Sequence, residues 1–76
     1  MNEDIMRGKW EQVRGELKKW WERLNDDDLQ RIDGSSDELA RLLQERYGYS
    51  QQEALFQIDE FLEKTEAKLH LLQQQR

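Results

Sequence analysis

A chain of 76 residues with no cysteine, no proline and a formal net charge of −5 is short enough for a single domain. It excludes a disulfide scaffold, a thiolate metal site and a cysteine nucleophile. The acidic balance counts against binding driven by phosphate neutralisation, and no stretch approaches the roughly eighteen apolar residues of a membrane span.

The start, Met1-Asn2-Glu3-Asp4, lacks the basic and apolar regions of a signal peptide, so the expectation is a cytoplasmic protein. A chain of this size buries only about 60–65% of the surface its unfolded form exposes, which leaves little room for an enclosed active site.

The first helix is expected from about Glu3 to Leu24. Met6, Trp10, Val13, Leu17, Trp20 and Leu24 recur at 4-3-4-3-4 spacing and share one side. Gly8 and Gly15 lie inside it, each costing about 1 kcal/mol relative to alanine. Trp10 and Trp20 fall on the apolar stripe and read as core. Trp21 lies on its edge, where it can bridge to another element or to a partner. Arg7, Arg14 and Lys18 fall beside the stripe. They read as partners of neighbouring carboxylates or, alternatively, as phosphate contacts.

Asn25 is placed to cap a second, short helix, with Asp26, Asp27 and Asp28 in its first turn, where carboxylates favour the positive end of the dipole. Leu29 and Ile32 are its core candidates, and Asp33-Gly34-Ser35 stops it. Ser35 and Glu38 read as a capping box opening a third helix, with Leu39, Leu42 and Leu43 inward. Tyr47-Gly48-Tyr49-Ser50 reads as a left-handed glycine C-cap followed by a second capping box, Ser50 with Glu53.

The fourth helix then carries Ala54, Leu55, Ile58, Phe61, Leu62, Thr65, Leu69 and Leu72 on one face. Phe56 lies off that face. It packs on the Tyr47/Tyr49 turn or, if exposed, is a contact candidate beside Tyr49. With no strand signal, the fold class is all-α: a small four-helix bundle of two long outer helices and two short middle ones.

Enzyme chemistry finds little in the sequence. His70 lies outside the apolar face and makes no catalytic set with a nearby nucleophile. The consecutive aspartates point about 100° apart on a helix and do not converge on one ion, and the spacing of an EF-hand loop is absent. The four glycines are isolated, so no phosphate-cradling loop occurs. Ser35, Ser36 and Ser50 sit at helix starts as caps. No catalytic residue, cofactor or metal is expected. The third and fourth helices can be drawn as a helix-turn-helix, but the second of them opens Ser50-Gln51-Gln52-Glu53 and meets Asp59, Glu60 and Glu63 before its first lysine.

The run Trp10-x-x-Val13-x-Gly15-x-Leu17-x-x-x-Trp21-x-x-Leu24-x-Asp26-Asp27-Asp28, then Ile32-x-Gly34, Asp37-x-Leu39 and Gln44-Glu45-Arg46-Tyr47-Gly48-Tyr49, resembles the bacterial CsbD-like family over about residues 2–61. The resemblance implies a small cytoplasmic protein of the general stress response, folded as crossed helical hairpins, with no assigned biochemical activity and no defined catalytic or cofactor residues. Two features depart from the family pattern. Leu55-Phe56 stands where relatives are polar, and an amphipathic extension, about 62–76, continues where many relatives end. That extension either lengthens the fourth helix against Ile5 and Met6 or forms a self-association face. The segment Tyr47 to Leu55 is also similar to the loop and following helix of ubiquitin-associated-type domains, which marks the turn as a docking edge.

The expectation is therefore one domain over 1–76, a non-enzymatic stress-response protein acting through its surface. Tyr47, Tyr49, Phe56 and Trp21 are candidates for the contact with a protein partner. A monomer is the favoured state, with a homodimer through the C-terminal helix as the variant. The alternative is a nucleic-acid-associated protein using Arg7, Arg14 and Lys18.

Overall fold

The computed structural model describes residues 6–74, with side chains through His70. Ile5, Leu71 and Leu72, which the sequence places on apolar faces, lie outside the described side chains, and so does the end of the chain. The described residues form four α-helices: α1 (Trp10–Trp20), α2 (Asp26–Ile32), α3 (Ser36–Tyr47) and α4 (Gln51–Gln74). Residues 6–8 are also helical, and a turn at Lys9 separates them from α1.

The all-α class expected from the sequence holds, but the proportions differ. At 24 residues α4 is the one long helix, while α1, at 11 residues, is no longer than the 12-residue α3. The first helix does not run from Glu3 to Leu24. At Lys9 the backbone leaves the helical region (φ −126°, ψ 35°), and no side chain caps the start. At Trp21 it turns extended (φ −126°, ψ 96°), although the Trp21 N–H still donates to the Leu17 carbonyl at 2.9 Å.

That ending decides the tryptophans. Leaving the helical path carries the Trp21 indole inward until it is 3% exposed, while Trp20, the last helical residue, stands 37% exposed. The expected assignment of core to Trp20 and edge to Trp21 is thus reversed. Helical periodicity stops predicting direction once the helix stops.

Local chemistry sets the other boundaries. Asn25 and Asp28 make a complete capping box: Asn25 Oδ1 accepts from the Asp28 N–H at 2.8 Å, and Asp28 Oδ2 accepts from the Asn25 N–H at 3.2 Å. Asp33 (φ 44°) and Gly34 (φ 85°) then turn the chain through the left-handed region. A Cβ on Gly34 would lie 3.3 Å from the Met6 carbonyl oxygen, a tight contact that adds to the positive φ in favouring glycine there. Gly48 (φ 72°, ψ 21°) closes α3, donating to the Gln44 carbonyl at 3.0 Å.

The two serine boxes are half made. Ser35 and Ser50 each accept from the N–H three residues on, at 3.3 and 3.1 Å. The glutamates turn elsewhere: Glu38 lies 3.8 Å from Arg31 and 3.6 Å from Arg41, and Glu53 accepts from Gln57 Nε2 at 2.9 Å.

α3 and α4 form a helical hairpin across residues 48–50 and share the most extensive contact. α1 lies along α4 in the antiparallel sense, since Trp20 meets Phe61 at 5.5 Å while Glu16, one turn earlier, meets Lys68 at 3.0 Å. The core gathers Met6, Val13, Leu17, Trp21 and Leu24 with Leu29, Ile32, Leu39, Leu42 and Leu43, and with Ala54, Ile58, Phe61 and Leu62 of α4.

The buried positions of α4 are Ala54, Ile58, Phe61, Leu62, Thr65 and Leu69. Leu55 is not among them: it is 47% exposed, because the buried stripe of this helix is narrower than the full apolar arc of its sequence. Within the C-terminal extension, Thr65 and Leu69 are buried and Lys68 pairs with Glu16, so its described part packs on the chain's own first helix. No helix among the described residues is long and apolar enough to cross a membrane.

Candidate interaction surface

One face of the molecule is fastened by a polar clasp. Asp28 is 2% exposed and sits in the first turn of α2. Its carboxylate takes a fork of two hydrogen bonds from Arg46 near the end of α3, Nη2 to Oδ1 at 2.8 Å and Nε to Oδ2 at 3.2 Å. Such planar, charge-assisted pairing is strong for its size. Arg46 holds the carboxyl below the usual aspartate range against the opposing effect of burial, with the Asn25 N–H helping. The same contact pushes the Arg46 guanidinium further up.

Arg23, in the segment between α1 and α2, completes the clasp. Its Nη1 donates to the Arg46 carbonyl at 3.1 Å and its backbone N–H to the Tyr47 hydroxyl at 3.1 Å, while its guanidinium lies 5.2 Å from the Tyr47 ring centre. Tyr47 stacks on Tyr49 with ring centres 5.4 Å apart and planes at 15°, and both rings pack against the core.

Of the four residues expected at a contact surface, three therefore have internal work. Trp21 is buried against Phe61 at 5.0 Å and is unavailable to a partner. Tyr47 and Tyr49 are half-buried, each covering the other and the core. Phe56 does not pack on that turn: it is 59% exposed and takes part in no ring pair among the described residues. With Leu55 beside it, Phe56 makes the most exposed large apolar pair of the described surface.

The expected phosphate stripe is broken up. Lys18 pairs with Asp26 at 3.0 Å, Arg14 is half-buried, and Arg7 lies over the Gly34 turn. Sequence reasoning missed the Asp28–Arg46 fork, whose partners stand 18 positions apart. It also missed Arg23, and nothing in the neighbourhood of either residue signals these contacts.

Both Asp28 oxygens are engaged in hydrogen bonds. A recess of about 350 Å³ between α3 and the start of α4 is lined by Asp37, Ala40, Arg41, Gln44 and Gln51. It is polar and open. No three His, Asp or Glu side chains among the described residues are grouped to hold a metal ion.

Comparison with known proteins gives related chains. The sequence is 46% identical over 61 residues to a UPF0337 protein of Pseudomonas aeruginosa, covering 80% of this chain and 94% of the relative. It is 44% identical over 64 residues to a UPF0337 protein of Bordetella pertussis, covering 84% and 97%. It is 42% identical over 59 residues to the UPF0337 protein YjbJ of Escherichia coli, covering 78% and 86%. None of these names states an activity. No family model and no solved structure matches the chain. On this identity and coverage, the chain belongs to the UPF0337 family of small bacterial proteins.

Proposed function

We propose that this protein is a CsbD-like member of the bacterial general stress response, a cytoplasmic, non-enzymatic protein that works by surface contact with a protein partner. The observation that carries the reading is the adjacent pair Leu55 and Phe56, 47% and 59% exposed at the start of α4, the most exposed large apolar side chains among the described residues. An exposed aromatic beside an exposed leucine is the residue chemistry enriched at contact surfaces and depleted elsewhere. The diversion of Lys18 into an ion pair with Asp26 counts against the nucleic-acid alternative.

The test places a photo-crosslinking phenylalanine analogue at position 56 and irradiates cells of the source bacterium with and without osmotic stress. The reading expects a discrete protein adduct that strengthens under stress and is missing when the analogue sits at exposed Gln30 on α2. Absence of any adduct at position 56 in both conditions overturns it.

A further inference from the structure

The outer face of α4 combines its apolar pair with a mainly negative charge. At 100° per residue, Phe56, Asp59, Glu60, Glu63 and Glu66 fall on an arc of about 120° away from the buried stripe, with Leu55 at its edge, and all six are exposed. Exposed His70 lies within that arc, and Lys64 borders it, about 40° beyond Glu60. Lys64 lies 5.9 Å from the Trp20 ring centre and Lys68 sits on Glu16.

Glu60, Glu63 and Glu66 join no ion pair among the described residues. Like charges three and four residues apart on a helix repel by a few tenths of a kcal/mol per pair. The face therefore holds repulsion that a cationic occupant would relieve, next to an apolar anchor point.

Resting on the contact reading above, we infer that this face docks a basic amphipathic segment of another protein. Such a helix would set an apolar side chain against Leu55 and Phe56, with its arginines or lysines over Glu60, Glu63 and Glu66. A second copy of this chain fits less well, because its own cations are largely engaged. Arg46 is held by Asp28, Lys18 by Asp26, Lys68 by Glu16, and Arg31 and Arg41 by Glu38. An anionic bilayer or a nucleic acid would be repelled by the same carboxylates. With only two apolar side chains at its centre, the contact belongs to the weak, transient class.

The experiment is a titration of the isotope-labelled full chain with a designed helical peptide bearing leucines on one face and arginines on the rest. The same peptide with glutamate for arginine, and a scrambled peptide of equal charge, serve as comparisons. The proposal expects amide shifts gathered over residues 52–66 and binding that weakens with salt. Affinity should be lower by about tenfold in Phe56→Ser and in the double variant Glu60→Lys, Glu63→Lys. Both variants alter exposed positions and should unfold at the wild-type midpoint.

Shifts centred elsewhere, equal binding of the glutamate or scrambled peptide, or affinity unaffected by the charge reversals would overturn it. So would self-association of the free protein that Phe56→Ser abolishes, which would assign the face to a second copy. A position-56 adduct whose partner segment is acidic or uncharged overturns this inference and leaves the contact reading standing, whereas failure to form any adduct removes the contact reading itself.

Discussion

Asp28 carries two duties at once, capping α2 through Asn25 and receiving the Arg46 fork from α3. Because Arg46 holds the folded carboxyl below its ordinary value, the ionised form favours the folded state. That contribution is complete above the unfolded value of about 4 and is lost as pH falls through the lower folded value. Asp28→Asn should cost about 1–2 kcal/mol at neutral pH, a figure kept low because Arg46 remains open to solvent. Urea midpoints of the variant and the wild type should separate at neutral pH and draw together in acid. A gap that stays constant with pH would show that the charge contributes nothing. The cap at Asn25 and the place of Asp28 in the first turn were legible, while the return bond from the Asn25 N–H to Asp28 is a finding of the structure. The fork was not legible, because no local pattern tells Arg46 which of the acidic side chains it will reach. Gly15 is the opposite case: a glycine in mid-helix whose added Cβ would meet nothing within 4 Å. Gly15→Ala should stabilise by about 1 kcal/mol and raise the thermal midpoint by about 4–8 °C.

Among the elements, α4 has the largest share of the architecture and its far half is the part most open to test. Thr65 and Leu69 are buried and Lys68 reaches Glu16 across the seam with α1. Truncation after Lys64 should therefore lower stability by about 2–4 kcal/mol, mostly from Leu69, with no change in sedimentation. A dimer that becomes a monomer on truncation would refute the intramolecular role. Caps at Asn25, Ser35, Gly48 and Ser50 were legible because a cap is a bargain between residues within four positions of each other. The end of α1 was not. Its apolar spacing continues to Leu24, whereas the backbone leaves the helical path at Trp21, whose ring lies against Phe61 of a distant helix. The exposure of Leu55 was hidden for a related cause: apolar content marks an arc, and packing partners decide how much of that arc is covered.

Over the whole molecule, the seven ion pairs among the described residues are short-range ties or seam contacts. They tie α1 to α2 (Lys18–Asp26), α2 to α3 (Asp28–Arg46, Arg31–Glu38) and α1 to α4 (Glu16–Lys68). Most of them are exposed and add little to stability individually. Their larger effect is on distribution. Lys18, Arg31, Arg46 and Lys68 are drawn to places where helices meet, while Glu60, Glu63 and Glu66 on the outside of α4 join no ion pair among the described residues. The sequence showed the net charge of −5 and, in Glu60 and Glu63, a hint of that location. It did not show that the lysines of the same helix would turn inward to the seam.

The close approach at Gly34 bears on the order in which the chain is assembled. The corner between α2 and α3 touches the backbone of Met6 and Arg7, and Met6 is fully enclosed. The helical turn at residues 6–8 is synthesised before the surface that receives it, which includes a corner nearly thirty residues downstream. During synthesis that turn must wait, unseated, until the corner has emerged and bent. A side chain at position 34 would crowd that seat, pressing on the backbone of Met6 and Arg7 as the turn docks.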